Sequence, residues 1–103
     1  MAIGIQRWER RDGADRQEFA LAALSYCRAM RDQDGVTDAK FYWTGVDQLA
    51  VLAHLQEPAA WTKPLTGGAA GSTFVLADLA RQVGTELWMD ARAAQTAWES
   101  AQG

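Results

Sequence analysis

Scarcity is the first property of this chain: 103 residues hold one cysteine, one histidine and two prolines. A single cysteine, Cys27, excludes an intramolecular disulfide and fits a reducing compartment. Set in FALAALSYCRAM, it reads as a buried packing residue, with no sequence neighbour to lower its pKa. Excess positive charge is missing too. Ten Lys/Arg against thirteen Asp/Glu leave a net charge of -3, whereas a nucleic-acid partner demands a basic surface. Residues 1–40 carry seven basic and seven acidic side chains and residues 41–103 three and six, so neither half is a basic patch. No run approaches the roughly 20 apolar residues of a membrane span, and MAIGIQRWERR lacks the charged-then-apolar order of a signal peptide. No Cys, His, Asp and Glu cluster at metal-ligand spacing. The expectation is a cytoplasmic protein without a nucleic-acid partner, a membrane partner or a bound metal.

What the chain does have is apolar content, 49% hydrophobic residues, in a length that makes one domain over 1–103. A domain this small gains from oligomerisation, which buries more surface. The richest stretch is 39–56, AKFYWTGVDQLAVLAHLQ. It reads as two strands joined at Thr44-Gly45-Val46-Asp47, a turn short enough to pair them antiparallel. Phe41, Tyr42 and Trp43 are consecutive aromatics and 49–55 is almost unbroken aliphatic, so both faces of this hairpin must be covered.

Residues 3–10 read as a further strand, with Ile3 and Ile5 on one face and Gly4, Gln6, Trp8 and Arg10 on the other. Asp12-Gly13 turns the chain. Asp15, three residues before Glu18, resembles a capping box and starts a helix reaching about Arg31. Its seam is Phe19, Ala23, Cys27 and Met30. Segment 57–71 holds both prolines and several glycines and predicts a broken helix and a mobile loop carrying Trp61. Ser72 is placed to cap a helix covering Phe74 to about Gln82. Thr85 to Asp90 alternates like a strand, and a short terminal helix follows. An alternative is one continuous helix from Ser72, since Leu76, Ala80, Val83, Leu87, Ala91, Ala94 and Trp98 keep three-four spacing. Gly84-Thr85 argues for the break.

The order strand, helix, strand, strand, helix, strand is the split βαβ pattern of ferredoxin-like folds, an α+β class with a four-stranded antiparallel sheet and its helices on one face. Alternation assigns Ile3, Ile5, Ala39, Phe41, Trp43, Leu49, Val51, Ala53, Leu55, Leu87 and Met89 to the helix side. It assigns Gln6, Trp8, Arg10, Lys40, Tyr42, Ala50, Leu52, His54, Glu86 and Trp88 to the open side.

With its hairpin FYWTGVDQLAVLAHL and its closing ADLARQVGTELWMDAR, the chain resembles the dimeric α/β-barrel superfamily, and in outline the cofactor-independent antibiotic-biosynthesis monooxygenases. The resemblance implies a homodimer packed sheet to sheet, forming a dimeric α/β barrel with a cavity in each protomer. The superfamily also includes haem-degrading enzymes and small isomerases. Several of its oxygenases use an Asn on the first strand, where this chain carries Gln6. Its haem-degrading members take an iron ligand from a helical His, whereas His54 falls in a predicted strand.

Two readings stand. In the first, a cavity enzyme without a cofactor acts as a monooxygenase or isomerase on an aromatic small molecule. Gln6, Tyr42 and His54 orient or deprotonate it, since a His near its ordinary pKa suits proton transfer, and Trp8, Trp88, Trp61 and Leu52 form the walls. In the second, the chain is a non-catalytic dimeric ligand-binding or interaction module. Then Trp8, Tyr42 and Trp88 fill an interface, His54 is satisfied by a neighbour, and Trp61 simply anchors its loop. Glu86 and Asp90, spaced by four, also fit exposed helix positions. The Gly67–Gly71 run lacks the Lys-Ser/Thr of a phosphate loop, and neither Ser25 nor Ser72 sits in a nucleophile-elbow sequence.

Overall fold

A computed structural model describes residues 1–62 and 64–102. Lys63, within the segment expected to be a loop, and Gly103 lie outside the described residues. The elements are β1 (Ala2–Arg10), α1 (Arg16–Met30), β2 (Val36–Trp43), β3 (Gln48–Leu55), a 3-10 turn (Pro58–Thr62), α2 (Gly67–Leu79), β4 (Ala80–Met89) and α3 (Ala91–Gln102). The four strands form one sheet in the order β2-β3-β1-β4, with every neighbouring pair antiparallel. This is the ferredoxin-like arrangement.

Helix α1 starts where its cap chemistry puts it. Asp15 is extended, and its carboxylate accepts from the Glu18 N–H at 2.9 Å, satisfying one of the helix's orphan donors. Phe19, Ala22, Ala23, Tyr26, Cys27 and Met30 recur three and four apart and are all buried. They meet Leu49, Val51, Ala53 and Leu55 of β3 and Ala39 of β2 in the core. Two edge-on aromatic pairs lock the helix to the sheet: Trp8 with Tyr26, centroids 6.5 Å apart, and Phe19 with Trp43 at 5.7 Å. Arg16 also lies 4.3 Å over the Trp43 ring. Cys27 is buried as expected, and burial pushes its thiol up to about 11.

Three expectations need correction. Helix α2 begins at Gly67, not Ser72, so the glycine-rich run is its first turns and not a mobile loop. Packing overrides the poor helix propensity of glycine here: Ala69 is buried, and Gly68 lies against Ala29 of α1. Strand β4 then follows α2 with no intervening loop and starts at Ala80, five residues early. The continuous helix from Ser72 does not form, because the free edge of β1 needs backbone partners from Ala2 to Arg10 and β4 supplies them. The β1–β4 register shifts between Arg7 and Trp8, a bulge that absorbs the extra length.

The third correction concerns faces. Directly paired residues share a face, and β1 pairs Ala2, Gly4, Gln6 and Trp8 with Leu55, Ala53, Val51 and Leu49. Gln6 and Trp8 therefore lie under the helices, while Ile3 and Ile5, paired with His54 and Leu52, lie on the open face. The assignment by alternation holds for β2, β3 and the outer half of β4 but is inverted for β1. Its apolar residues fall on both parities, and only the register decides between them.

Two measurements test this account. Asp15→Ala removes the α1 cap, and its urea midpoint should fall by an amount equivalent to about 1 kcal/mol with an unchanged m-value. Cys27, buried and held protonated, should react with a disulfide reagent at about pH 8 only at the rate of unfolding, becoming fast in urea. Because its pKa is raised, its contribution to stability is present below the unfolded thiol value and lost as pH rises through about 11.

Candidate functional site

A cavity of about 370 Å³ lies on the helix side of the sheet. Gln6 of β1 and Val36 of β2 contribute from the sheet, Met30, Gln33 and Asp34 from the end of α1 and beyond, and Ala60, Trp61, Pro64, Leu65 and Thr66 from the crossover to α2. Its volume falls in the range of small-molecule sites, roughly 300–1,000 Å³. The lining is mainly apolar, interrupted by the amides of Gln6 and Gln33, the carboxylate of Asp34 and the hydroxyl of Thr66.

Gly4 explains how Trp61 reaches the site. A Cβ on Gly4 would collide with the indole, so the Trp61 ring lies directly on the backbone of β1, in space that any side chain would fill. The loop at the cavity edge is held by Gln33. Its Nε2 donates to the Thr66 carbonyl at 3.1 Å, and its Oε1 accepts from the Thr66 N–H at 3.1 Å. One side-chain amide thus pairs with both the N–H and the carbonyl of Thr66, as a neighbouring backbone would.

Gln6 belongs to a partly buried polar cluster. Trp8 donates its Nε1–H to Gln6 Oε1 at 3.3 Å. The Tyr26 hydroxyl lies close enough to the side chains of Gln6 and Thr73 for both to influence its ionisation. Burial raises the Tyr26 pKa, and Gln6 and Thr73 only partly oppose this, so the phenol stays protonated at neutral pH. Among the described residues no buried side-chain nitrogen or oxygen lacks a partner. The Trp8 bond holds the Gln6 amide, and Trp8, Gln6, Tyr26 and Thr73 together supply neutral hydrogen-bonding groups, not a base.

The side chains singled out in the sequence fall into two groups on opposite sides of the sheet. Gln6 and Trp61 line the cavity, and Trp8 stands behind Gln6, 4% exposed. Tyr42, Leu52, His54 and Trp88 share the open face instead and do not line the cavity. Three rows cross that face from β2 to β4: Asp38–His54–Ile3–Trp88, Lys40–Leu52–Ile5–Glu86 and Tyr42–Ala50–Arg7–Gly84. Tyr42 and Trp88 are each 55% exposed, while Ile5 and Ala50 between them are buried. Glu86 pairs with Arg7, and Asp90 accepts from the Ala93 N–H at the start of α3. Among the described residues no three His, Cys, Asp or Glu side chains gather as a metal site would require.

Sequence reasoning missed Tyr26, Thr73 and Gln33. Tyr26 carries a signal in retrospect, a hydroxyl on the buried stripe of a helix, which needs a partner across the core.

No family model matches the chain, and no curated protein matches it. Solved structures do. A variant of SnoaB, a cofactor-independent oxygenase from Streptomyces nogalater, superposes with a TM-score of 0.71 at 13% identity, covering 87% of this chain and 92% of that one. A protein of Nitrosomonas europaea, provisionally named an antibiotic biosynthesis monooxygenase, gives 0.71 at 9% identity over 88% and 99%. Rv0793 from Mycobacterium tuberculosis gives 0.70 at 15% over 86% and 93%. The chain has the fold of these proteins. The ferredoxin-like architecture expected from its element order is therefore shared with antibiotic-biosynthesis monooxygenase structures. At such identities the likeness concerns the path of the backbone and assigns no side chain a role.

The seat of Trp61 gives a direct test. Gly4→Ala places a methyl inside the indole, so Trp61 must move; the variant should lose about 1–3 kcal/mol and show altered tryptophan fluorescence. In a Trp61→Phe background the penalty should shrink. Equal penalties in both backgrounds would disprove the contact.

Proposed function

We propose that the helix-side cavity binds a compact aromatic small molecule and that the protein acts as a monooxygenase without a bound cofactor. The observation that carries this reading is the cavity itself, roofed by the Trp61 indole and presenting the fixed amide of Gln6. A flat ring stacks on Trp61, and the Gln6 amide orients a hydroxyl or keto oxygen on that ring. Trp8 and Tyr26 act as positioning residues by holding Gln6. The name of the Streptomyces oxygenase, which shares this fold, supports the choice of reaction.

The chemistry then falls on the substrate. An electron-rich hydroxyarene gives its electrons to dioxygen, and a ring carbon forms the new carbon–oxygen bond. The hydroperoxide collapses with loss of water. One oxygen atom remains in the ring as a quinone carbonyl, and the other leaves as water with two substrate hydrogens. No base is assigned within the cavity, because the Tyr26 phenol is neutral and Asp34 is exposed. The suitable substrate is one whose hydroxyl ionises readily, with neutral donors stabilising the anion.

Tyr42, Leu52, His54 and Trp88 take a different part in this proposal. They form the interface of a homodimer packed sheet to sheet, a state supported by the exposed aromatics on a face whose centre is aliphatic. A cytoplasmic site is supported by the single buried thiol. No helix among the described residues is long and apolar enough to cross a membrane.

One observation favours the second reading, a ligand-binding module without chemistry: the buried polar groups at the site are already mutually satisfied. 1-Naphthol separates the two. Under the oxygenase reading it quenches tryptophan fluorescence, and the protein consumes one dioxygen per 1,4-naphthoquinone formed. Gln6→Leu should lower turnover by about tenfold, the loss of one oriented hydrogen bond, with little change in binding. Binding without oxygen uptake establishes the module. No binding by the parent protein overturns the cavity assignment.

A further inference from the structure

We infer that the outer face of helices α1 and α2 joins two copies of this chain about a two-fold axis running across the helices, with Glu18 of each copy meeting the partner's Arg28. This face points away from the sheet, so the contact is separate from the sheet-to-sheet pairing proposed above and does not rest on it. A groove of about 500 Å³ runs between the two helices, with Glu18, Leu21 and Ser25 on one wall and Ser72, Val75 and Asp78 on the other. Leu21, Phe74 and Val75 are 56%, 75% and 55% exposed, large apolar side chains gathered on one surface, as at an interaction site.

On α1 the exposed residues Glu18, Leu21, Ser25 and Arg28 stand three, four and three positions apart, so they form one stripe along about 15 Å of helix. The stripe is symmetric about the level of Ala23. When a helix packs antiparallel on a copy of itself, residues equidistant from the crossing point face each other. With the crossing at Ala23, Glu18 faces the partner's Arg28 and Leu21 faces the partner's Ser25, and each contact is made twice, as an isologous interface requires. A large side chain set against a small one lets the helices approach closely. Glu18 lies in the first turn of α1 and Arg28 in its last, so the antiparallel helix dipoles favour the same arrangement.

Helix α2 is centred on the same axis. It runs antiparallel to α1, with Gly68 against Ala29 at one end and Leu79 sharing the groove with Glu18 at the other. Halfway between lies Phe74, level with Ala23, so the axis brings Phe74 onto the partner's Phe74. Asp78 then lies over the first turn of the partner's α2, where a carboxylate is stabilised. An axis along the helices would lay α1 on the partner's α2 and set Glu18 against the partner's Asp78, two like charges, so complementary charge selects the axis across them. The charged groups are free to make the contact. Arg7, Arg10, Arg31 and Arg81 are held in ion pairs, and Arg11 and Arg16 donate to backbone carbonyls. Among the described residues neither Arg28 nor the Glu18 carboxylate is so engaged.

Charge exchange tests the contact by sedimentation velocity. The parent should show a reversible step that doubles its mass, from monomer to dimer, or from dimer to tetramer where the sheets are already paired. Glu18→Arg or Arg28→Glu alone should raise the Kd of that step by about tenfold or more, since each change spoils two symmetry-related contacts. The double exchange should return Kd to within about threefold of the parent. Circular dichroism checks that each variant is folded, and cross-linking gives a second readout independent of charge. Under mild oxidation Phe74→Cys should form a disulfide between copies much faster than Val46→Cys, a position 76% exposed but away from the axis; Cys27 is buried and does not compete. Equal cross-linking at the two positions, or single exchanges not rescued by the double one, overturns the inference. A doubling step indifferent to every one of these changes is sheet-to-sheet pairing alone, which overturns the inference and leaves the homodimer reading standing. A parent that stays monomeric at high concentration overturns both and leaves the helical face to a partner other than this chain.

Discussion

The pairing of β1 with β3 on one side and β4 on the other decides almost everything else in the molecule. As an inner strand, β1 has no free backbone edge, and every alternate side chain is committed to one of two different environments. Ala2, Gly4, Gln6 and Trp8 look toward the helices; Ile3, Ile5, Arg7 and Glu9 look away. Sliding the register by one residue would expose Trp8, bury Ile3 and Ile5 under α1, and remove both the Gln6 amide and the seat of Trp61 from the cavity. The buried contacts of Trp8 with Tyr26 and of Leu49, Val51 and Leu55 with α1 therefore hold the site in place as well as the fold.

Because β1 separates its side chains so strictly, the sheet divides a cavity on one side from an exposed aromatic face on the other. The helix side encloses a space bounded by rigid strand residues and by a crossover tied down through side-chain hydrogen bonds. The open side has an aliphatic centre with aromatics and charges at its margins. A histidine and a tyrosine that look catalytic by residue type sit on the second side, and residues that look like simple packing, Tyr26 above all, set up the first.

How much of this could be read from the amino-acid order depends on the range of the determining interaction. Helix α1 and its Asp15 cap were legible because both are local, as was the β2–β3 hairpin, whose strands and turn are contiguous. The ferredoxin-like order of elements was legible for the same reason. The parity of β1 was not, because Ile3, Ile5 and Trp8 fall on both faces and the deciding partners lie more than forty residues away. The start of α2 was hidden by glycines that ordinarily signal a loop, while the packing of Gly68 and Ala69 against α1 outweighs that local tendency. Of the residues singled out, Gln6 and Trp61 line one cavity, whereas Tyr42, Leu52, His54 and Trp88, expected beside them, lie on the other face of the sheet. The approach of Tyr26 to Gln6 joins a helix to a strand, and nothing in spacing announces it.

The glycine at position 4 has a further meaning for how such a cavity changes over time. It does not line the cavity, yet the depth to which the Trp61 ring settles is set there. A larger residue would lift the ring and shrink the space beneath the crossover without altering any group that touches a ligand. Cavity volume and the polar groups of its lining are thereby set at separate positions, and a lineage could change one by a single substitution while leaving the other untouched.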